Sequence, residues 1–342
     1  MMKGESLKGQ IKSALYLIGV LISTLSVTFL VSAFLVEVDF SEISRFFFNS
    51  TVGTVDGFLQ VLARTTPILI STLGLVVAFR SSVWNIGGEG QIVVGVIVTT
   101  GVCLFLGLPP TLAILLAFLA SFLAGGAYGA LAGFLKARWD VNEIVVTMMQ
   151  TFIVFALLQY LIDGPWNWGV GLYPRTAMIP SGTRLPFIKF PLNITVIIAL
   201  TLAFVTHLLL NRTVLGYEMR AMGSNRTTAF CQGINITRLT VLSMLISGGF
   251  CGLAGSGLVL GSFFRAQAGI SGNYGFYAIA AALIADNKAT LAPFSSLLIA
   301  LIYEGTLGLT ALGLPSRLGE ATVGIVLIVV LLPKALKRLR SA

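Results

Sequence analysis

The sequence predicts an all-α, polytopic integral membrane protein of about ten transmembrane helices (eight to ten), and three observations predict it. Hydrophobic residues make up 56% of the 342 and charged residues only 10%, with a mean hydropathy of +0.94. Soluble domains typically carry about 25% charged residues. Apolar runs near the roughly 20 residues needed to cross a bilayer recur along the chain. The polar residues are confined to stretches between those runs, none of them polar enough to be a soluble domain. Residues 1–342 are therefore expected to form a single transmembrane domain. The net charge of +9 does not call for nucleic acid, because lysines and arginines at membrane boundaries account for it. Cys103, Cys231 and Cys251 show no CxxC spacing and His207 is the single histidine, so neither a disulfide framework nor a metal site is expected, and no cofactor is called for.

Taken in order, the first expected span is 11–36, preceded by Lys3, Lys8 and Lys12. It is longer than the roughly 7–15 apolar residues of a signal-peptide core, and its N-terminus is expected inside. Residues 37–56 carry Glu37, Asp39, Glu42 and Asp56 against Arg45 alone, as an outer loop should. Further spans are expected at 57–79, 91–107, 111–135, 142–162, 192–210, 237–262, 274–287, 290–312 and 318–333, with 91–107 and 274–287 short for a crossing. Ten crossings put both termini in the cytoplasm. The basic residues agree, since Arg80, Lys136, Arg138, Lys288 and the C-terminal Lys334, Lys337, Arg338 and Arg340 fall in segments that this topology places inside. The longest outer loop, 163–191, sets Trp166, Trp168 and Tyr173 among five prolines. It reads either as an interfacial aromatic belt or as a landing surface for an external partner.

The longest polar interruption is 211–238, where Arg212, Arg220, Arg226 and Arg238 meet one acid, Glu218. A short helix is legible inside it. Ser224 or Asn225 can cap its start, and Gly233 can close its end in a left-handed conformation. Two readings stand: a docking handle on the cytoplasmic face, or a basic loop held near anionic headgroups.

Within the greasy segments, Trp84-Asn85-Ile86-Gly87-Gly88-Glu89-Gly90-Gln91 is the sharpest local signal. Each glycine destabilises a helix by roughly 1 kcal/mol relative to alanine. A break there frees backbone groups, which membranes tolerate where they line a cavity or meet protein. The lysine and Ser/Thr of a phosphate loop are missing. A broken helix at the pathway is preferred over a plain turn, with Asn85, Glu89 and Gln91 as pathway residues. A comparable break, 268–276, precedes a short apolar segment in the second half, and paired breaks point to a central solute site. Glu304 stands in an otherwise apolar span, where a carboxylate costs roughly 2.5–3.5 kcal/mol on insertion scales. It is expected to bond the solute, relay a proton, or satisfy a neighbouring helix. Asn142 and Glu143 read as the cap and first turn of a span. Gly248, Gly249, Gly252, Gly255 and Gly257 give one span the small-residue spacing of close helix packing.

Three stretches, Asn85 to Gln91, Val141 to Met149, and Gly216 to Ile234 around Arg220-Ala221-Met222-Gly223-Ser224-Asn225, resemble permease subunits of ATP-binding-cassette (ABC) importers. The resemblance is to the branched-chain amino acid, ribose and nucleoside type, most of all its sugar/nucleoside branch, and spans roughly 57–335. It also covers Tyr274–Leu283, after which the family carries a Gly-rich turn where this chain reads Ala285-Asp286-Asn287-Lys288. The resemblance implies a plasma-membrane permease that pairs with a second permease chain, identical or not, with cytosolic ATP-binding subunits and with an external solute-binding protein. It makes 211–238 a coupling loop, with Gly216, Glu218, Arg220, Gly223, Ser224 and Asn225 on the ATPase-facing surface. The solute expected is a nucleoside or simple sugar, and ATP hydrolysis belongs to separate subunits.

The rival reading is an ion-coupled secondary carrier with Glu304 or Glu89 as its proton site. An intramembrane enzyme is disfavoured, because no HExxH, no GxSxG with partners and no Ser-Lys pair at membrane depth is evident.

Overall fold

The computed structural model of the protein describes residues 39–168, 173–315, 317, 319–325 and 328, with residue 19 alone before them. The span expected at 11–36 and the basic C-terminal stretch lie outside the described residues, and of 318–333 only 319–325 and 328 lie inside. The described helices are α1 (Phe40–Thr51), α2 (Val55–Arg80), α3 (Gly88–Phe105), α4 (Pro110–Trp139), α5 (Glu143–Asp163), α6 (Thr195–Arg212), α7 (Val214–Ser224), α8 (Arg226–Cys231), α9 (Ile236–Leu258), α10 (Tyr274–Ile284) and α11 (Ala292–Gly308). A π turn, Val259–Phe263, continues α9, and a 3-10 turn, Leu309–Leu312, continues α11. Among the described residues, seven helices are long and apolar enough to cross a membrane: α2, α3, α4, α5, α6, α9 and α11 with their extensions. With the shorter α10 they match eight of the expected spans.

Side chains set the helix ends. Asn142 Oδ1 accepts from the amides of Ile144 (2.9 Å) and Val145 (3.4 Å) at the start of α5, and Asn235 Oδ1 accepts from Arg238 N (2.9 Å) at the start of α9. At the end of α4, Asp140 takes a left-handed conformation, φ 51°. The turn after α10 is closed by Asp286 (φ 52°) and Asn287 (φ 54°). Aspartate and asparagine tolerate that region better than other non-glycine residues, so they can serve where the resembling family uses glycine.

The chain divides into two compact units, one of residues 65–296 and one of residues up to 64 together with those from 297 onward. In the larger unit α3, α4 and α9 meet backbone to backbone. A Cβ on Gly248 would strike the carbonyl oxygen of Gly125, one on Gly252 that of Ser121, and one on Gly255 that of Ile92. The small-residue face of α9 thus packs within this chain. Polar side chains tie the same contact, with Thr99 and Ser121 hydroxyls 2.7 Å apart and Ser121 Oγ donating to Gly95 O (3.2 Å). The 173–193 stretch is strapped to the residues ending α9 by main-chain bonds, Ile179 N to Phe264 O (2.8 Å) and Leu185 N to Leu260 O (2.8 Å). It holds a small antiparallel pair, β1 (Phe187–Lys189) and β2 (Leu192–Asn193).

In the smaller unit α1 buries Ile43 and Phe47 against Leu309 and Leu314. Gly305 and Gly308 let α11 approach Phe47 and Ser50.

Three expectations need correction. The outer stretch 37–56 is not only loop: it forms α1, its apolar Ile43 and Phe47 recurring at helical spacing. The span expected from 91 begins at Gly88, so Gly88, Glu89 and Gly90 open a helix, and the irregular backbone is 81–87. The single short helix read into 211–238 is two, α7 and α8.

Candidate functional site

The two glycine-marked breaks, far apart in sequence, meet in the larger unit. Glu89, in the first turn of α3, turns its carboxylate onto the start of α10, where Oε2 accepts from Gly275 N (2.6 Å) and Oε1 from Asn273 N (3.0 Å). A carboxylate at a helix N-terminus satisfies amides that have no intrahelical partner. Gly275 makes the contact possible: a Cβ there would strike the backbone of Glu89 and Gly88. Beside it, Asn85 and Gln91 bond reciprocally, Asn85 Nδ2 to Gln91 Oε1 (2.8 Å) and Gln91 Nε2 to Asn85 Oδ1 (3.1 Å). Asn85 also donates to Ser247 Oγ of α9 (2.9 Å), and its Oδ1 accepts from Gly87 N (3.1 Å). Asn85, Glu89 and Gln91 are 0%, 1% and 1% exposed. The three expected pathway residues are thus brought together, and their polar groups are bonded to protein. On the near side of the break, Glu143 accepts from Trp84 N (3.4 Å) and lies 3.5 Å from Lys136, which also pairs with Asp140 (2.8 Å). That hydrogen bond from Lys136, with the charge behind it, holds the Asp140 carboxyl below the usual carboxylate range.

The polar stretch after α6 forms an open handle. Thr213 Oγ1 caps α7 by accepting from Gly216 N (3.0 Å), and Asn225 Oδ1 caps α8 by accepting from Thr228 N (2.9 Å). Gly233, at φ +81°, lies just beyond the end of α8. Between the two helices runs a groove of about 360 Å³ lined by Tyr217, Arg220, Ser224, Asn225, Thr228 and Gln232 with Ala221 and Ala229. Of the six expected surface residues, Arg220, Ser224 and Asn225 line it, whereas Gly216 is buried and Glu218 and Gly223 are half-buried. Gly216 and Gly223 serve packing instead. A Cβ on Gly216 would strike Leu209 O, and one on Gly223 would strike Arg80 O at the end of α2. Ser82, in the break, donates to Gly223 O (2.9 Å), and Ser81 and Ser243 hydroxyls meet at 2.8 Å. The handle is therefore joined directly to the residues that lead into the break.

Residues 57–331 match the profile of a family described as branched-chain amino acid transport system / permease component. The chain belongs to this permease family. A guanosine ABC transporter permease protein of Bacillus subtilis is 31% identical over 291 residues, covering 82% of this chain and 83% of the relative. A glucose ABC transporter permease protein of Haloferax volcanii is 29% identical over 307 residues (86% and 80%), and a nucleoside ABC transporter permease protein of Lactococcus lactis 26% over 310 (84% and 85%). No solved structure matches the chain. As a permease the protein is a multi-pass membrane component that translocates solute, and the ATP hydrolysis that drives such systems sits on separate subunits.

Glu304 of the permease lies in the smaller unit, in α11, and forms an ion pair with Arg64 Nε of α2. The Arg64 guanidinium also rests over the Tyr303 ring, 5.2 Å from its centroid. Sequence reading set Glu304 inside a span, and Arg64 falls within the span expected at 57–79, but the two were not paired. The signal was there in outline, because two opposite charges in two apolar helices are each costly alone. Two other contacts were missed: the tie of Glu143 to Trp84 and the joint of Ser82 to Gly223. Each links residues some 60 or more positions apart, so neither partner is visible from the other's surroundings.

Proposed function

We propose that this permease forms half of the translocation pathway of an ABC importer for a nucleoside or simple sugar, acting as one transmembrane domain. In this reading both termini are cytoplasmic and residues 211–238 form the coupling loop. An ATP-binding subunit grips α7 and α8 at the groove around Arg220, Ser224 and Asn225. A second permease chain completes the pathway, and a solute-binding protein delivers the solute from outside, meeting the surface that carries the exposed Trp168 and Tyr173. Asn85, Glu89 and Gln91 act beside the pathway by fixing the shape of the break rather than by holding solute. The solute class is supported by the names of the relatives, which span guanosine, nucleosides and glucose.

The observation that carries the coupling role is the contact of Gly223 with Arg80 and Ser82. It gives an exposed basic handle a short mechanical route to the pathway. An ion-coupled carrier is not favoured, since family membership argues against it and both carboxylates it would use are engaged, Glu89 by two amides and Glu304 by Arg64. The test is the double variant Arg220→Ala/Asn225→Ala in proteoliposomes holding the assembled transporter. ATP-driven uptake of guanosine or glucose should fall at least about tenfold, with the protein inserted and ATP hydrolysis continuing, the loss of two interface hydrogen bonds. Full coupling in that variant would remove the handle from the mechanism.

A further inference from the structure

We infer that the groove between α7 and α8 receives an acidic side chain of the ATP-binding subunit, an aspartate or glutamate whose carboxylate meets Arg220. This rests on the coupling-loop reading above and names the chemistry of the group that enters the handle. The groove measures about 360 Å³. That is many times the roughly 30 Å³ of a water molecule, so a side chain can enter it. Arg220 stands half-buried in its wall. Its Nε donates to Gly216 O (3.3 Å), one turn back along α7, while its two Nη atoms have no hydrogen-bond or ionic partner among the described residues. The chain does not neutralise this charge. The ion pairs among the described residues join Arg64 to Glu304, Lys136 to Asp140 and Glu143, and Lys288 to Asp286, so none involves an arginine of 211–238. Glu218, the single acid of that stretch, does not line the groove. Asp140 comes within electrostatic reach of Arg226, but Lys136 already holds it (2.8 Å).

The rest of the lining favours the same ligand. Asn225 spends its side-chain oxygen on Thr228 N (2.9 Å), and Ser224 spends its hydroxyl proton on Ala221 O (2.9 Å). The Asn225 amide and the Thr228 hydroxyl remain as donors beside the guanidinium, without a partner among the described residues. A planar carboxylate accepts two parallel bonds from the fork of an arginine and keeps lone pairs for a further donor. The surroundings favour a protein over a lipid headgroup as its source. Val214, Tyr217 and Phe230 stand 75%, 56% and 71% exposed on the same two helices. Aromatic surface around an arginine is the composition of a protein–protein contact. The permease also needs such a contact, because the ATP hydrolysis that drives it sits on separate subunits.

The test uses the assembled transporter, with its partner chains, in nanodiscs that contain anionic phospholipid. Arg220→Lys puts an amine where the guanidinium stands, and a water-soluble carbodiimide joins an amine to a touching carboxylate as an amide, with loss of water. Lys136, 2.8 Å from Asp140, supplies a reference link in every sample. Mass spectrometry of the digest should find the introduced amine joined to one aspartate or glutamate of the ATP-binding subunit. A link to Glu218 alone, a phosphoramidate to lipid, or no link besides the reference would overturn the proposal. With the acid known, Arg220→Glu should weaken binding of the ATP-binding subunit at least about tenfold, and arginine in place of that acid should restore most of it. Absence of any restoration would overturn the pairing as well. The coupling-loop reading is judged separately by Arg220→Ala/Asn225→Ala. If that variant loses coupling while the introduced amine finds no carboxylate, the handle stands and the acidic partner group falls. If it couples fully, both fall.

Discussion

At the handle, Ser224 and Asn225 stand exposed around an open groove with Arg220, whereas at the break Asn85, Glu89 and Gln91 are closed in, each bonded to another part of the chain. The residue types are alike: amides, a hydroxyl and charges set among glycines. Their surroundings differ. A polar group bonded in the interior is costly to disturb, because its partner is left buried and unsatisfied, at about 1–3 kcal/mol. The same group at a wet surface exchanges protein for water at little cost. The break is thus fixed in one shape, whereas the handle leaves its polar groups at an open surface, as the proposed coupling role requires. The glycines follow the same division, since Gly275 clears room for buried backbone and Gly233 ends an exposed helix.

The largest effect should come from filling the space at Gly275. In Gly275→Ala the new methyl meets the backbone of Glu89 and Gly88, with no flexible side chain to move aside. Overpacking of this kind costs about 3 kcal/mol. Thermal unfolding in detergent should show a markedly lowered midpoint or no folded species, and an unchanged midpoint would mean that the two breaks are not pressed together. Next comes Glu89. Glu89→Ala leaves the buried amide of Gly275 and the half-buried amide of Asn273 without an acceptor, for a loss of about 3 kcal/mol, while Glu89→Gln keeps one acceptor and should lose roughly half as much. The same melts rank the two. If Glu89→Ala were as mild as the surface change Ser224→Ala, the contrast between a fixed break and an open handle would fail.

Much of this was readable in the chain, and the reasons differ by region. The eight spans among the described residues were, because a run of about twenty apolar residues has few other uses. The breaks were, because glycines crowd where a helix should run. The handle was half readable. Asn225 and Gly233 mark the ends of α8, but α7 was hidden because Gly216 and Gly223 argue against a helix until their contacts with Leu209 and Arg80 are seen. What the sequence does not carry is pairing over distance. Glu89 and Gly275 are 186 residues apart and Arg64 and Glu304 are 240 apart, so neither partner is visible from the other's surroundings. α1 was obscured for another reason. Asp39, Glu42 and Asp56 gave its stretch the look of a charged outer loop, and the apolar face of Ile43 and Phe47 is only two residues wide.

The smallest change in stability falls where the two regions touch. Ser82 donates to Gly223 O at 2.9 Å from an exposed position, and it holds a left-handed backbone at φ +53°. Ser82→Ala removes the bond and keeps the strained backbone, for about 0.5–1 kcal/mol. Ser82→Gly removes the bond and relieves the strain, so the two terms nearly cancel and its melting point should stay close to that of the wild type. The two variants therefore differ in stability while sharing the loss of one contact between handle and break. If that contact carries motion, both should transport less solute per ATP hydrolysed, by about the same factor, with binding of the ATP-hydrolysing subunit unchanged. If only Ser82→Gly is impaired, backbone stiffness at the joint is what matters. If neither is, the approach of Gly223 to Arg80 joins the regions unaided, and the groove on α7 and α8 must act through that backbone contact alone.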